Sequence, residues 1–225
     1  MEDKQLLILR LEGVLQSWDD ISKWDRRGTG DFPTKSAIVG LLGCALGFNR
    51  DNHDLICLSE NLTVAVRADR PGEIITDFQT VTGHPLLNAE GKPKTTGSTF
   101  ISRRSYLQDA CFTVVLELKG EWHRRVVEAL KSPKWPLYLG RKTCVPSRPV
   151  LECENPGYIN IDDALRRYPP AERATYPMEY ETEEKHDTLV CITRPDNLVS
   201  VTREYTRRQV WRGLVEEAAD VPGKS

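Results

Sequence analysis

The segment GDFPTKSAIVGLLGCALGF, residues 30–48, combines the apolar pattern of a helix with three glycines. Each glycine inside a helix costs roughly 0.5–1 kcal/mol relative to alanine. Because no charged residue lies between Lys35 and Arg50, the pattern predicts a helix over about 35–47 that is buried nearly all round. The helical repeat places small residues on one stripe, made of Ala37, Gly40, Cys44 and Gly47 with Gly43 beside it. We interpret the stripe as a surface that lets another backbone pack closely, with Gly47 ending the helix.

The remaining pattern indicates an α+β fold, a ferredoxin-like (RRM-like) antiparallel sheet with helices on one face. Strands are predicted over residues 5–12, 61–69, 73–81, 99–107 and 110–118, and helices over about 50–60 and 121–132. We expect residues 1–150 to form this domain. Residues 151–225 are then a smaller strand-rich C-terminal portion, with one short helix near 161–168.

Composition excludes several classes of protein. Hydrophobic residues make up 39% of the 225, and no apolar run approaches the ~20 residues needed to span a bilayer. The N-terminus lacks a cleavable signal pattern, so we expect a cytoplasmic protein with no membrane partner. The six cysteines include no CxxC pair, so the sequence predicts reduced thiols, no metal site and no cofactor.

Charge is distributed unevenly along the chain although the net charge is only −2. Residues 92–150 carry twelve Lys/Arg and four Asp/Glu (12 − 4 = +8), whereas residues 151–200 carry five and eleven (5 − 11 = −6). This polarity is typical of a protein with a basic face that binds a polyanion and an acidic face that meets solvent or protein. The alternative is that both stretches are ordinary solvated surface.

The start of the glycine-bearing helix is a candidate anion site. Thr34, Lys35 and Ser36 resemble the end of a phosphate-binding P-loop, but the two required glycines are replaced by Thr29 and Thr34. Nucleotide hydrolysis is therefore not expected. Free backbone N–H groups, the positive end of the helix dipole and Lys35 would still attract an anion such as a nucleic-acid phosphate, with Ser36 as a further contact.

Two other basic motifs are candidate contacts. In SRRSYL, strand alternation places Arg104 and Tyr106 on one face and Arg103 on the other. A guanidinium and an aromatic ring on one face suit a phosphate and a stacked base, although an exposed cross-strand pair would look the same. In the loop Gly140-Arg141-Lys142, the glycine would let an RNA backbone approach closely and the two cations would bind its phosphates. The alternative is that the loop is ordinary surface.

The first long loop carries two arginines, Arg26 and Arg27, together with Trp18 and Trp24. Either tryptophan would stack on a base if it were exposed. The competing interpretation is that the tryptophans anchor the loop in the core, which leaves only the arginines as candidates for phosphate contact.

Four stretches of the chain resemble the CasD-type subunit of type I-E CRISPR Cascade. They are LQSWDD…TGDFPTKSAIVGLLGCALGFNRDN, SRRSYLQDACFTVVLEL, PLYLGRKTCVPSRPV and, more weakly, TREYTRRQVWRG. The resemblance implies a subunit with a ferredoxin-like core that grips the repeat-derived 5′ handle of the CRISPR RNA. It also implies other Cascade subunits as partners, the backbone subunit and the large subunit, with target DNA contacted indirectly.

The resemblance further implies a hairpin "thumb" that inserts at the start of the guide region. We assign it to about residues 73–105. The segment 82–98, rich in Gly, Pro and Lys, would form its tip, with Lys92 and Lys94 as phosphate contacts.

Catalysis is not expected, and no residue is assigned a catalytic role. Metal-free RNA cleavage needs a base, an acid and positive charge at the phosphate. None of the histidines, which are His53, His84, His123 and His186, clusters in sequence with Lys and Tyr. The alternatives are a metal-independent endoribonuclease that processes precursor CRISPR RNA and a protein-only scaffold.

Overall fold

A computed structural model describes residues 4–18, 26–83, 91–93, 99–202 and 204–216. The strands are β1 (Lys4–Glu12), β2 (Leu15–Gln16), β3 (Arg26–Arg27), β4 (Leu62–Arg70), β5 (Glu73–Thr82), β6 (Thr99–Gln108), β7 (Cys111–Lys119), β8 (Leu151–Cys153), β9 (Met178–Thr182), β10 (Val190–Leu198) and β11 (Tyr205–Val215). The helices are α1 (Lys35–Leu46), α2 (Asp54–Glu60), α3 (Trp122–Lys131) and α4 (Ile161–Arg167). None of these helices is long and apolar enough to cross a membrane.

The main sheet has the strand order β10-β11-β9-β4-β7-β1-β8, and all of its pairings are antiparallel. Within it, β4-β7-β1-β8 with α1 after β1 and α3 after β7 is the ferredoxin-like arrangement, as predicted. Strands β9, β10 and β11 extend the same sheet beyond β4, so the C-terminal portion is continuous with the ferredoxin-like core. A second sheet contains β2, β3, β5 and β6.

Helices cover both faces of the main sheet. Side chains of Leu7, Leu9 and Leu11 on β1 point to the core that α1 and α3 complete. The alternate residue Ile8 points to a smaller core containing Leu165 of α4. The prediction that the helices lie on one face of the sheet is therefore correct for α1 and α3, whereas α4 lies on the opposite face. Strand alternation explains the division, because successive residues of a central strand face opposite sides.

A buried ionic network holds the segment after α4 against the sheet. Asp69 is fully buried and its carboxylate accepts hydrogen bonds from Arg10, Arg67 and Thr113. The same carboxylate accepts the backbone N–H of Ala171 at 2.6 Å. Arg67 in turn donates to the carbonyl oxygens of Leu165 and Tyr168, so the network joins strands and loop into one unit.

Candidate nucleic-acid interface

A groove of about 900 Å³ runs along one side of α1. Its floor is the stripe of small residues predicted from the sequence, including Ala37, Gly40 and Cys44, and its opposite wall is the loop from Trp135 to Lys142. Gly40 is exposed, and a Cβ built there would meet nothing within 4 Å. Intramolecular packing therefore does not explain this glycine, contrary to our interpretation of the stripe at this position.

The other two glycines of α1 follow the interpretation more closely. Gly47 has φ +76° and its N–H bonds to the Cys44 carbonyl, so it ends the helix as predicted. A Cβ on Gly43 would lie 2.5 Å from the Leu55 side chain, where α2 packs against α1.

The groove is lined by cations that have no carboxylate partner among the residues that the structure describes. Arg27, Arg50 and Lys142 line it, all three are exposed, and none forms an ion pair within the described ranges. No Asp or Glu is among the described residues that line it. Elsewhere partly buried arginines are paired with carboxylates, such as Arg208 with Asp196 at 2.6 Å. A groove with unpaired cations and no acidic residue favours a polyanionic ligand.

Aromatic side chains border the same groove. They include Trp135, which is 36% exposed, and Tyr205, which is 44% exposed. Exposed rings beside unpaired cations are the combination that single-stranded nucleic acids bind, since bases stack on the rings while phosphates meet the cations.

The loop after Leu139 is fastened by Arg141, which differs from its predicted role. Its guanidinium donates to the carbonyl oxygens of Ser105, Arg27 and Gly28, and it lies 4.8 Å from the centre of the Tyr106 ring. Tyr106 is only 3% exposed, so its ring is covered and a base cannot stack on it. Arg141 therefore positions the groove wall, and Lys142 is the cation of this loop that extends outward.

Gly140 makes its close approach to the chain's own backbone. It has φ +91°, and a Cβ there would lie 1.7 Å from the Ser17 carbonyl oxygen. The neighbouring residues form a backbone hydrogen bond, Ser17 N–H to Leu139 O, at 3.1 Å. The glycine that suggested contact with RNA is thus required for packing between β2 and the groove wall.

We expect Gly140→Ala to lower the free energy of unfolding by about 2–3 kcal/mol, because strain at positive φ is added to the clash with Ser17. Gly157→Ala is the matched control: Gly157 has φ +71° but its Cβ would meet nothing within 4 Å, so we expect a loss of about 1 kcal/mol. Urea denaturation of both variants measures the difference. Equal losses of stability in the two variants would show that the contact between a Cβ at position 140 and the Ser17 carbonyl does not add to the destabilisation.

The start of α1 does hold an anion, but the anion belongs to the chain. The Lys35 N–H donates to the Asp196 carboxylate at 2.7 Å, and the Lys35 ammonium pairs with Glu183 at 3.2 Å. Lys35 is 6% exposed. These contacts argue against the predicted phosphate contact at Lys35. Ser36 lines the groove beside it and keeps its candidate role.

Lys35→Met should therefore affect stability rather than RNA binding. We expect a loss of about 1–2 kcal/mol in the free energy of unfolding, since one charged hydrogen bond to Glu183 is removed. The affinity for RNA should stay within twofold of wild type, measured by fluorescence anisotropy in a salt titration. Weaker binding at unchanged stability would restore the phosphate contact that the sequence predicted.

The second sheet carries the long hairpin of β5 and β6, which pair from Glu73 with Gln108 to Thr82 with Thr99. As predicted, its strands alternate: Ser102 and Tyr106 are buried and Arg103 is exposed. Arg103 lies over the Phe78 ring at 5.7 Å, and Arg104 is opposite Asp77. Lys92 is exposed, while Lys94 lies outside the described residues.

The first loop is only partly described. Trp18 is 1% exposed and its ring N–H donates to Gln16, so it anchors the loop in the core. The backbone of Arg26 and Arg27 pairs with β6, and the Arg27 side chain reaches the groove. Trp24 and the Arg26 side chain lie outside the described part of the chain.

Three residues that line the groove were not predicted from the sequence: Arg50, Trp135 and Tyr205. Arg50 closes the uncharged run of α1 and could have been noticed as the next cation after Lys35. Trp135 stands between Lys134 and Pro136 in a short loop, a pattern compatible with an exposed ring. Tyr205 had no local signal, because it reaches the groove only through the extension of the sheet by β10 and β11.

None of the described histidines lines the groove. His123 is buried with Nε2 2.8 Å from the Glu154 carbonyl oxygen, and His53 lies 3.6 Å from the Cys57 sulfur on α2. His186 lies 3.5 Å from Asp162, and His84 is outside the described residues. In the described ranges no group of three or more His, Cys, Asp or Glu side chains could hold a metal ion.

Comparisons with known proteins agree over nearly the whole chain. The model of the family CRISPR-associated protein (Cas5) matches residues 6–211. The chain is 34% identical over 221 residues to the CRISPR system Cascade subunit CasD of Escherichia coli (strain K12), covering 92% of this chain and 94% of that protein.

Two solved structures share the fold over nearly the whole chain. A chain of a CRISPR RNA-guided surveillance complex superposes with a TM-score of 0.75 at 29% identity, covering 96% of this chain and 92% of that one. A crystal structure of a Cas protein gives a TM-score of 0.70 at 29% identity, covering 94% and 95%.

Proposed function

Because this chain belongs to the Cas5 family of CRISPR-associated proteins, we propose that it is an RNA-binding subunit of a Cascade surveillance complex. In this role it grips the repeat-derived 5′ handle of the CRISPR RNA in the groove along α1 and caps the backbone of the complex. The observation that carries the proposal is a set of three exposed cations, Arg27, Arg50 and Lys142, that line the groove without an ion-pair partner or an acidic neighbour in its described lining.

The proposed protein partners are the backbone subunit and the large subunit of Cascade, with target DNA contacted only indirectly. The relative from Escherichia coli is named as a Cascade subunit, and one structural relative comes from an RNA-guided surveillance complex. The hairpin of β5 and β6 supports a thumb role within about residues 73–105. Its face carries exposed Ile74, Phe78 and Ile101, an apolar surface that suits a protein neighbour.

We propose a non-catalytic role. The described lining of the groove contains no histidine and no carboxylate, so the usual bases for activating a ribose 2′-OH are missing there. The alternative, a metal-independent endoribonuclease, would need a base from another part of the chain or a different RNA path.

The purified chain incubated with labelled repeat RNA, with and without EDTA, tests these roles. The proposal expects a shifted complex and an intact RNA in both conditions. Cleavage products that persist in EDTA would establish the endoribonuclease. Neither binding nor cleavage, together with co-purification of other Cascade subunits, would leave a protein-only scaffold and contradict the proposal.

A further inference from the structure

The outer edge of β5 is a long strand edge without a described partner. β6 pairs with β5 on one side and with β2 and β3 on the other, whereas β5 pairs only with β6 in the described ranges. In an antiparallel pair, every second residue directs its N–H and C=O away from the partner strand. About half of the backbone groups of this ten-residue strand therefore face outward, along an edge ~34 Å long.

The edges of the main sheet carry features that discourage the addition of a strand, and β5 carries none of them. Natural edge strands are protected by short length, bulges, Pro or Lys. Of the two edge strands of the main sheet, β8 has three residues, and β10 contains Pro195 and a shift of register between Arg194 and Asn197. β5 keeps a regular register along its whole length and contains no Pro, Lys or Arg. Its edge is therefore suited to pairing with another strand.

The part of the hairpin nearest its tip has little packing of its own. β3 pairs with β6 only at Arg103 and Arg104, so toward the tip the described sheet has two strands. None of the β5 residues, all of which the structure describes, is buried, and Phe78 and Val81 are at least half exposed. A two-stranded hairpin is marginally stable in water, whereas a third strand and a covered apolar face stabilise it. A further strand along β5 would supply both.

One face of the hairpin defines the apolar side of such a strand. Ile74 and Phe78 lie on the same face of β5 as Ile101 of β6, and all three side chains are exposed. Side chains of an added strand would alternate between the two faces of the sheet. The strand would therefore cover this apolar face with apolar residues at every second position.

The other face of β5 is acidic. It carries Glu73 and Asp77, which are the only charged residues of the strand, and both are exposed. Arg104 of β6 lies opposite Asp77, whereas the residue opposite Glu73 is the uncharged Gln108. Opposite charges on facing strands attract each other. A Lys or Arg on the added strand would therefore complement Glu73.

We propose that an extended segment of another protein subunit of the complex adds to the outer edge of β5 as a further strand. This segment carries apolar residues on one face and a basic residue toward Glu73 on the other. The inference rests on the proposed function, since the partner is a subunit of the same surveillance complex. Backbone hydrogen bonds supply the attachment, and the alternation of side chains supplies the selectivity.

Hydrogen exchange resolved to single amides tests the pairing. The full chain is measured by itself, with RNA carrying the 5′ handle, and in a complex co-expressed with the other Cascade subunits and CRISPR RNA. In the free chain, every second amide of β5 should exchange fast because it faces outward. We expect assembly to slow these amides at least about tenfold, since they become hydrogen-bonded, whereas handle RNA by itself should leave them fast.

Proline at an outward position gives a second test. Gln79 and Thr80 are neighbours in β5, so one of them directs its N–H outward, and the exchange data identify which. Gln79→Pro or Thr80→Pro at that outward residue removes a donor from the free edge and keeps the pairing with β6. We expect the yield of assembled complex to fall about tenfold, because proline blocks pairing at an edge. Alanine at the same residue is the matched control, since it keeps the N–H and should assemble as wild type.

Two results would overturn the inference. One is outward amides that stay fast in the assembled complex, and the other is equal yields for the proline and alanine variants when urea denaturation shows that both are folded. Slow exchange with handle RNA by itself, or in a dimer of the chain detected by sedimentation, would also contradict it, because RNA or a second copy would then cover the edge. Handle RNA binding by the free chain in each case leaves the proposed function standing. A wild-type chain that neither binds handle RNA nor assembles would contradict the proposed function instead.

Discussion

Replacing Arg27, Arg50 and Lys142 together with glutamate should weaken binding of handle RNA by at least about 100-fold at low salt. The three side chains line the groove without a carboxylate partner in the described residues, so their charge is available to phosphates. Each phosphate neutralised on a single strand contributes about 0.7 to the slope of log affinity against log salt, so the slope should fall by about 2. Fluorescence anisotropy in a salt titration measures both quantities.

A second triple variant with the same change in charge controls for net charge. Arg124, Lys131 and Lys185 are exposed, pair with carboxylates and do not line the groove. Their replacement by glutamate should weaken binding less than about fivefold, since surface charges farther than a Debye length are screened. If both variants lose affinity equally, binding depends on overall charge and the groove is not the RNA interface.

Asp69→Ala should lower the free energy of unfolding by about 3–5 kcal/mol, because it leaves the fully buried Arg67 without its carboxylate and Arg10 with only Glu152 at 3.5 Å. Arg10 is 3% exposed and Arg67 is fully buried, and both donate to Asp69. The backbone N–H of Ala171 would also lose its acceptor. Urea denaturation gives the change in stability, and limited proteolysis should show earlier cleavage after α4 than in wild type.

Asp187→Ala is the control for removal of a carboxylate. The Asp187 side chain is 90% exposed and pairs only with Lys185 at 3.6 Å among the residues described, so we expect a change below about 0.5 kcal/mol. A loss for Asp69→Ala as small as that of the control would mean that Arg10 and Arg67 find other partners after the carboxylate is removed.

Local signals predicted most of the elements of the fold. The uncharged apolar run and Gly47 predicted α1 with its left-handed end, and strand alternation predicted that Tyr106 and Arg103 lie on opposite faces of β6. Helix periodicity, caps and strand alternation depend on neighbours within a few residues, which explains why a single sequence is sufficient for them. The ferredoxin-like class also followed from the succession of elements, whereas the fourth strand of the order, β8 (Leu151–Cys153), lies just beyond the domain boundary predicted at residue 150.

Local patterns do not predict contacts between residues that are far apart in the sequence. The physical expectation that the start of α1 attracts an anion was sound, yet the anion is Asp196, which lies 161 residues away in sequence. The sequence suggested that Arg141 is a cation available to a ligand. In the structure its guanidinium packs on the Tyr106 ring and donates to three backbone carbonyl groups. Whether a cation is available to a ligand depends on which acceptors folding brings near it, and composition does not contain that information.

The order of residues along the chain was enough to predict a helix with a stripe of small residues in a chain with several basic loops. Which residues line the groove depends on the tertiary fold, because Arg27, Arg50, Lys142 and Tyr205 come from four separate segments. Strand pairing places β10 and β11 beside β9 and so brings Tyr205 to the groove. Gly40 illustrates the difference: sequence shows a costly glycine in a helix, and only the open space above it shows that the glycine faces the groove rather than the core.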